Sequence, residues 1–112
     1  MIEQMDLLLV PFPFSDQSGR KVRPVIVISN NEFNRHSEDL IVVGVTSNIL
    51  KDKYTLDLNN ADLDEGKLST CCVIKVGNIL KLDKELIIKK IGKINKTTLK
   101  NIVSKLQDIL SY

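Results

Sequence analysis

Two runs of β-branched residues constrain this chain most: Arg23-Pro24-Val25-Ile26-Val27-Ile28-Ser29 and Leu40-Ile41-Val42-Val43-Gly44-Val45-Thr46-Ser47. Both are too short for core helices and apolar along their length, so each reads as a buried strand, joined by a polar segment rich in Asn and Ser. In an antiparallel hairpin whose loop is symmetric about its midpoint, the start of the first run meets the end of the second. Arg23 then lies roughly opposite Thr46. Directly opposed residues share one face of the sheet. A guanidinium and a hydroxyl thus stand side by side at one rim, where an anionic substrate can touch both.

Around these strands the chain alternates short apolar runs with turn signals. Asp6 to Phe12 reads as a first strand, ended by Pro11 and Pro13, neither of which can donate a ladder hydrogen bond. The segment Phe14-Ser15-Asp16-Gln17-Ser18-Gly19-Arg20-Lys21 is polar and delivers basic residues just ahead of Arg23. It reads as a binding flap over the rim rather than a plain hairpin connection. Lys53 to Leu58 alternates in period two, as a half-exposed edge strand does, and its charges suit an edge. Asn59 to Thr70 reads as a solvated surface turn; its acids lack the glycine and terminal glutamate positions of a calcium loop. Cys71 to Val76 reads as another buried strand, with a turn or bulge at Gly77-Asn78 before Ile79 to Leu82. A short turn at Asp83-Lys84-Glu85 leads to Leu86–Ile94, a strand in its second half. From Asn95, a plausible N-cap, the period changes: Leu99, Ile102, Val103, Leu106, Ile109 and Leu110 fall at helical spacing.

Several short strands and one terminal helix indicate a mainly β chain, a small, strongly bent antiparallel sheet forming a partly closed barrel. The 112 residues suit one domain, 1–112, able to bury about two-thirds of its unfolded surface. No apolar run approaches the ~20 residues needed to span a bilayer. The start, Met1 to Asp6, has no basic region ahead of its apolar run, so a secretory signal is not expected and a cytoplasmic location is.

Adjacent Cys71 and Cys72 point to opposite faces of a strand, so free thiols are expected. With His36 the only histidine and no CxxC spacing, a Cys/His zinc site lacks ligands. Net charge is only +2, but residues 1–74 carry seven basic against eleven acidic side chains, a balance of −4, and residues 75–112 nine lysines against three acids, +6. That asymmetry suits a polyanion or an acidic protein segment on the second part, and equally an ordinary solvated lysine face.

Several motifs, in order, resemble one family. Val10-Pro11-Phe12-Pro13-Phe14-Ser15-Asp16 with Ser18-Gly19, Arg23-Pro24 opening a strand closed by Ile28-Ser29-Asn30, and Asn34-Arg35-His36-Ser37 come first. Val45-Thr46-Ser47, Ile79-Leu80-Lys81-Leu82-Asp83-Lys84 and Lys90-Ile91-Gly92-Lys93 follow. Together they resemble the MazF/PemK toxin endoribonucleases of bacterial type II toxin-antitoxin pairs over nearly the whole chain. The resemblance implies an SH3-like barrel of the MazF/PemK/CcdB type, a homodimer that cleaves single-stranded RNA without metal or other cofactor. It also implies silencing by a cognate antitoxin whose acidic segment covers the RNA groove. The family's catalytic arginine falls on Arg23 and its catalytic threonine on Thr46. Candidate substrate contacts are Phe14, Ser15, Gln17, Ser18, Arg20 and Lys21 in the flap, with Ser47 beside Thr46 and Asn78 as a base-edge reader.

The chain departs from the pattern at Cys72, where relatives often carry serine, and at Gly77-Asn78-Ile79-Leu80, where many carry acidic-Gln-Ile-Arg. Target sequence therefore need not follow the relatives. The implied reaction is attack of the RNA 2′-hydroxyl on the adjacent phosphate, leaving a 2′,3′-cyclic phosphate and a 5′-hydroxyl. Two other readings stand beside it. One is a non-enzymatic barrel that binds nucleic acid or inhibits a protein target such as DNA gyrase, as CcdB relatives do. The other makes Arg23 a structural ion-pair partner of Asp6 or Glu3.

Overall fold

The computed structural model describes residues 1–11, 22–48 and 50–112. The flap candidates Phe14, Ser15, Gln17, Ser18, Arg20 and Lys21 lie outside the described residues, as do Phe12 and Pro13. Among the described residues the chain forms β1 (Asp6–Pro11), β2 (Val22–Val27), α1 (Asn31–His36), β3 (Asp39–Thr46) and β4 (Thr55–Leu58). Then follow β5 (Leu63–Gly66), β6 (Cys72–Asp83), β7 (Lys89–Ile94) and α2 (Lys96–Leu110). The strands make one antiparallel sheet in the order β4-β6-β3-β2-β1-β7-β5. The sheet curls into a half-barrel, the mainly β architecture with a terminal helix expected above.

Both faces of the sheet are apolar because the central strands are buried on each. Leu7, Ile26, Val43, Val45, Ile74 and Val76 share one core with Ile102 of α2. Leu8, Val10, Val25, Val27, Val42 and Leu82 form a second core. Alternate residues of the same strands supply the two cores, as a period of two requires. This is why the runs in β2 and β3 read as unbroken apolar stretches.

Helix α2 begins at Asn95, whose side chain accepts from the Thr98 amide at 2.8 Å and from its hydroxyl at 2.7 Å. Ile102 is fully buried, and Leu99, Leu106 and Ile109 pack on the same core. Val103 and Leu110 instead remain 40% and 68% exposed, and Thr98 is buried. The buried stripe is therefore narrower than the helical spacing predicts.

Two further elements differ from the sequence expectation, and in a third the structure chooses the bulge over the turn. The polar connection between β2 and β3 contains helix α1, capped by the Asn30 side chain, which accepts from the Phe33 amide at 2.8 Å. Buried Asn34 ties this helix down, donating to the Ser29 carbonyl at 2.9 Å. Asn59–Thr70 is more than a turn, for it holds a capped 3-10 turn at Asn60–Asp62 and edge strand β5. Cys72–Val76 and Ile79–Leu82 are one strand, β6, interrupted by a bulge. Val43 opposes Ile79 and Gly44 opposes Lys75, so Val76, Gly77 and Asn78 loop out between them.

Candidate functional site

The register of β2 on β3 decides what meets at the rim. Val25 opposes Gly44, Ile26 opposes Val43 and Val27 opposes Val42. Carried two residues further, that register sets Arg23 against Thr46. Proline stops the ladder just before them. The Leu9 carbonyl accepts from Ile88 at 2.8 Å, so Pro24, opposite Leu9, turns its nitrogen away from β1 and toward β3. Having no N–H, it donates nothing to β3, and beyond it the strand ends are left to side-chain contacts.

The contact that replaces the ladder is a side-chain hydrogen bond. Arg23 Nη1 donates to Thr46 Oγ1 at 3.3 Å. The same oxygen accepts from the Asn48 amide at 3.1 Å, closing a turn just past β3. With both lone pairs engaged, the Thr46 hydroxyl keeps its own proton to donate outward. Both side chains are half-buried, fixed by strands below and open to solvent above.

The pair separates two clefts. The larger, about 740 Å³, is also walled by Ser47, Lys67, Thr70, Cys72 and Ile91. The smaller, about 300 Å³, is also walled by Gly44, Leu50, Lys75 and Asn78. Arg23, Thr46 and Asn48 face both. Ser47 thus sits with the pair in the first cleft and Asn78 in the second. The sequence reading missed Asn48, Lys67 and Lys75. Lys75 carried a signal, as the one charged residue in the apolar run Cys71 to Val76.

Asp6 and Glu3, the alternative ion-pair partners of Arg23, are engaged elsewhere. Asp6 is fully buried and lies 3.2 Å from Lys90 and 3.5 Å from Lys93; Glu3 lies 2.9 Å from Lys93. The Asp6 carboxylate also accepts from the Glu3 amide at 2.8 Å. This cluster pins the entry of β1 to β7.

The thiols take separate places. Cys71 is exposed and Cys72 buried, both as free cysteines. Burial, with a smaller contribution from neighbouring Cys71, pushes the Cys72 thiol upward, away from the thiolate form a nucleophile needs. His36 ends α1 and lines neither cleft. Among the described residues no group of three or more His, Cys, Asp or Glu side chains is placed to hold a metal ion, and no helix is long and apolar enough to cross a membrane.

A half-barrel of this order with one terminal helix, carrying a guanidinium and a hydroxyl at the end of its central hairpin, defines a small SH3-like barrel protein with a polar rim. Over residues 3–110 the sequence matches the family described as PemK-like, MazF-like toxin of type II toxin-antitoxin system, and the chain belongs to that family. No curated protein matches it significantly. Solved structures do. An endoribonuclease in complex with its cognate antitoxin from a mycobacterial species is 17% identical, with TM-score 0.76 over 100% of this chain and 99% of that one. The Mycobacterium tuberculosis toxin MazF-mt6 is 14% identical, with TM-score 0.76 over 96% of this chain and 99% of that one. MazF in a MazE-MazF crystal structure from Deinococcus radiodurans is 19% identical, with TM-score 0.76 over 98% and 95%. At such identities the likeness carries the fold.

Proposed function

We propose that this toxin-family chain is an endoribonuclease that cuts single-stranded RNA by 2′-hydroxyl attack on the adjacent phosphate, with Arg23 and Thr46 as its catalytic pair. The observation that carries the reading is the 3.3 Å hydrogen bond from Arg23 to Thr46 in the wall shared by two clefts. A strand of RNA crossing that wall would lay a phosphate on the pair and one neighbouring nucleotide in each cleft.

The reaction asks for what these groups offer. The nucleophile belongs to the substrate, so the protein need not supply one. As the 2′-oxygen bonds to phosphorus, the bond to the 5′-oxygen breaks; the proton lost by the first is regained by the second. The products are a 2′,3′-cyclic phosphate and a 5′-hydroxyl, and no water, metal or electron enters the balance. Charge builds on the non-bridging oxygens in between. The guanidinium presents paired N–H donors to those oxygens, and the Thr46 hydroxyl adds a third. One such donor aimed at developing charge is commonly worth about 3–4 kcal/mol. A guanidinium is too basic to take up the 2′-proton readily, so Arg23 acts here as electrostatic stabiliser. Ser47 and Lys67 line the substrate's path in the larger cleft.

The same reading includes a homodimer in the bacterial cytoplasm and a cognate antitoxin that covers the clefts with an acidic segment. Support comes from the antitoxin-bound and MazE-bound relatives and from the lysine at each cleft. The test is incubation of purified protein with a long unstructured RNA in excess EDTA, followed by end-group analysis, beside Arg23→Ala and Thr46→Ala. Cyclic phosphate and 5′-hydroxyl ends from wild type, lost in both variants, are the expected result. Intact RNA with wild type overturns the ribonuclease reading, and undiminished cutting by both variants overturns the site.

A further inference from the structure

The smaller cleft is built differently from its neighbour. Gly44 lines it, and a Cβ placed there would lie 3.4 Å from the Asn78 Cβ and 3.7 Å from its Nδ2, an ordinary contact distance. Asn78 thus packs over Gly44. It reaches that place only because Val76 to Asn78 bulge out of β6 opposite the step from Val43 to Gly44. Lys75, the last residue before the bulge, opposes Gly44 on one side and Thr55 on the other. By alternation it shares the sheet face of Gly44, Thr46 and Arg23.

Among the described residues, neither the Lys75 nor the Asn78 side chain has a hydrogen-bond or ion-pair partner. An ammonium and an amide therefore face one cleft, beside the guanidinium and hydroxyl proposed to hold a phosphate. The cleft's volume of about 300 Å³ stands at the low end of small-molecule sites, about 300–1,000 Å³. That suits one nucleotide better than a length of strand. Leu50, at its wall, offers an apolar surface to a base.

We propose that this cleft is a one-nucleotide subsite, in which Lys75 binds the phosphate next to the scissile one and Asn78 reads the base between them. The proposal rests on the ribonuclease reading above. The amide presents a donor and an acceptor side by side, the pattern that matches N7 and the N6 amino group of adenine. In single-stranded RNA that edge is free to be read. The subsite therefore favours adenine on one side of the cut, and the larger cleft governs the other side.

The test uses short RNAs with a single cleavable linkage and each flanking base varied in turn, cut by wild type, Asn78→Ala and Lys75→Gln. Uncleavable 2′-O-methyl versions give affinity as a function of salt. Wild type should prefer adenine on one side. Asn78→Ala should reduce that preference at least tenfold, leaving preference on the other side unchanged. Lys75→Gln should raise KM more than it lowers kcat, and should reduce the slope of log affinity against log salt by about 0.7, one phosphate's share for a single strand. A wild type indifferent to the base on both sides, or an Asn78→Ala variant with unaltered preference, overturns the base-reading role. An unchanged salt slope in Lys75→Gln overturns the phosphate role. Should wild type cut nothing, the ribonuclease reading falls and with it the placing of the subsite beside a scissile phosphate; the salt slope on uncleavable RNA then upholds phosphate binding by Lys75 if Lys75→Gln reduces it and overturns that too if not.

Discussion

The Thr46 oxygen accepts hydrogen bonds from Arg23 and from the Asn48 amide, so what remains for a substrate is its proton. This separates two substitutions of similar size. Thr46→Val, with no hydroxyl, should lose about 100-fold or more in kcat, whereas Thr46→Ser should stay within about tenfold of wild type, both measured by single-turnover cleavage of a fixed RNA. Arg23→Lys keeps the charge but loses the fork and should also fall by about 100-fold. The cysteines make a second contrast. Iodoacetamide should label exposed Cys71 well before buried Cys72, whose thiol burial keeps protonated; mass spectrometry of peptides over a time course reads the order. Much of this was legible in the sequence, because a period of two and a nearly symmetric loop suffice to set Arg23 against Thr46. Asn48 was not, since its part is played by a backbone amide, which no side-chain pattern announces.

Among the elements, the bulge in β6 and the close approach of β5 to β7 show where glycine is needed and where it is not. Gly66 has φ 84°, and a Cβ there would stand 2.2 Å from the Ile91 carbonyl oxygen and 2.7 Å from the Gly92 Cα. Gly66→Ala should therefore destabilise by about 2 kcal/mol or more. Gly77 meets nothing within 4 Å, so Gly77→Ala should be neutral or stabilise by up to about 1 kcal/mol through the unfolded chain. Chemical denaturation of the two variants checks both signs. The sequence located the bulge at Gly77-Asn78 but could not show that it carries Asn78 back over Gly44, a consequence of pairing with β3. Helix α1 went unread because its six residues are too few for a helical period to emerge; only Asn30, with Glu32 behind it, marked its start. Strand β5 was hidden by its two acids, one of which, Glu65, has a lysine partner in β7, Lys90, 3.3 Å away.

At the scale of the whole molecule, the opposite charge balances of the two parts of the chain turn out to be partly self-satisfying. Lys81, Lys90 and Lys93 pair with Asp39, Asp6, Glu65 and Glu3, acids of the first part. Burial pulls Lys90 down, but Asp6 and Glu65 outweigh it, and Lys93 is raised chiefly by its hydrogen bond to Glu3. A raised lysine stabilises the fold fully below its unfolded value, about 10.4, and loses that contribution as pH rises through the folded value. The carboxyl of Glu3, lowered by Lys93, contributes above its unfolded value, about 4.3, and loses it as pH falls through its folded one. Asp6→Asn should cost about 2 kcal/mol at pH 7, less than for a fully buried pair because the lysines reach solvent. The melting temperature should drop by about 10 °C, and the gap from wild type should narrow above about pH 10.4 as the lysines lose their protons. What the barrel holds rigid by these means is one hydrogen-bonded pair, which the proposed function sets on one phosphate. A double-mutant cycle on RNA cleavage by Arg23→Ala, Thr46→Ala and the combined variant tests that unity most directly. Groups acting together should leave the double variant little slower than the worse single one. Losses that multiply in full, or single variants within tenfold of wild type, would contradict it.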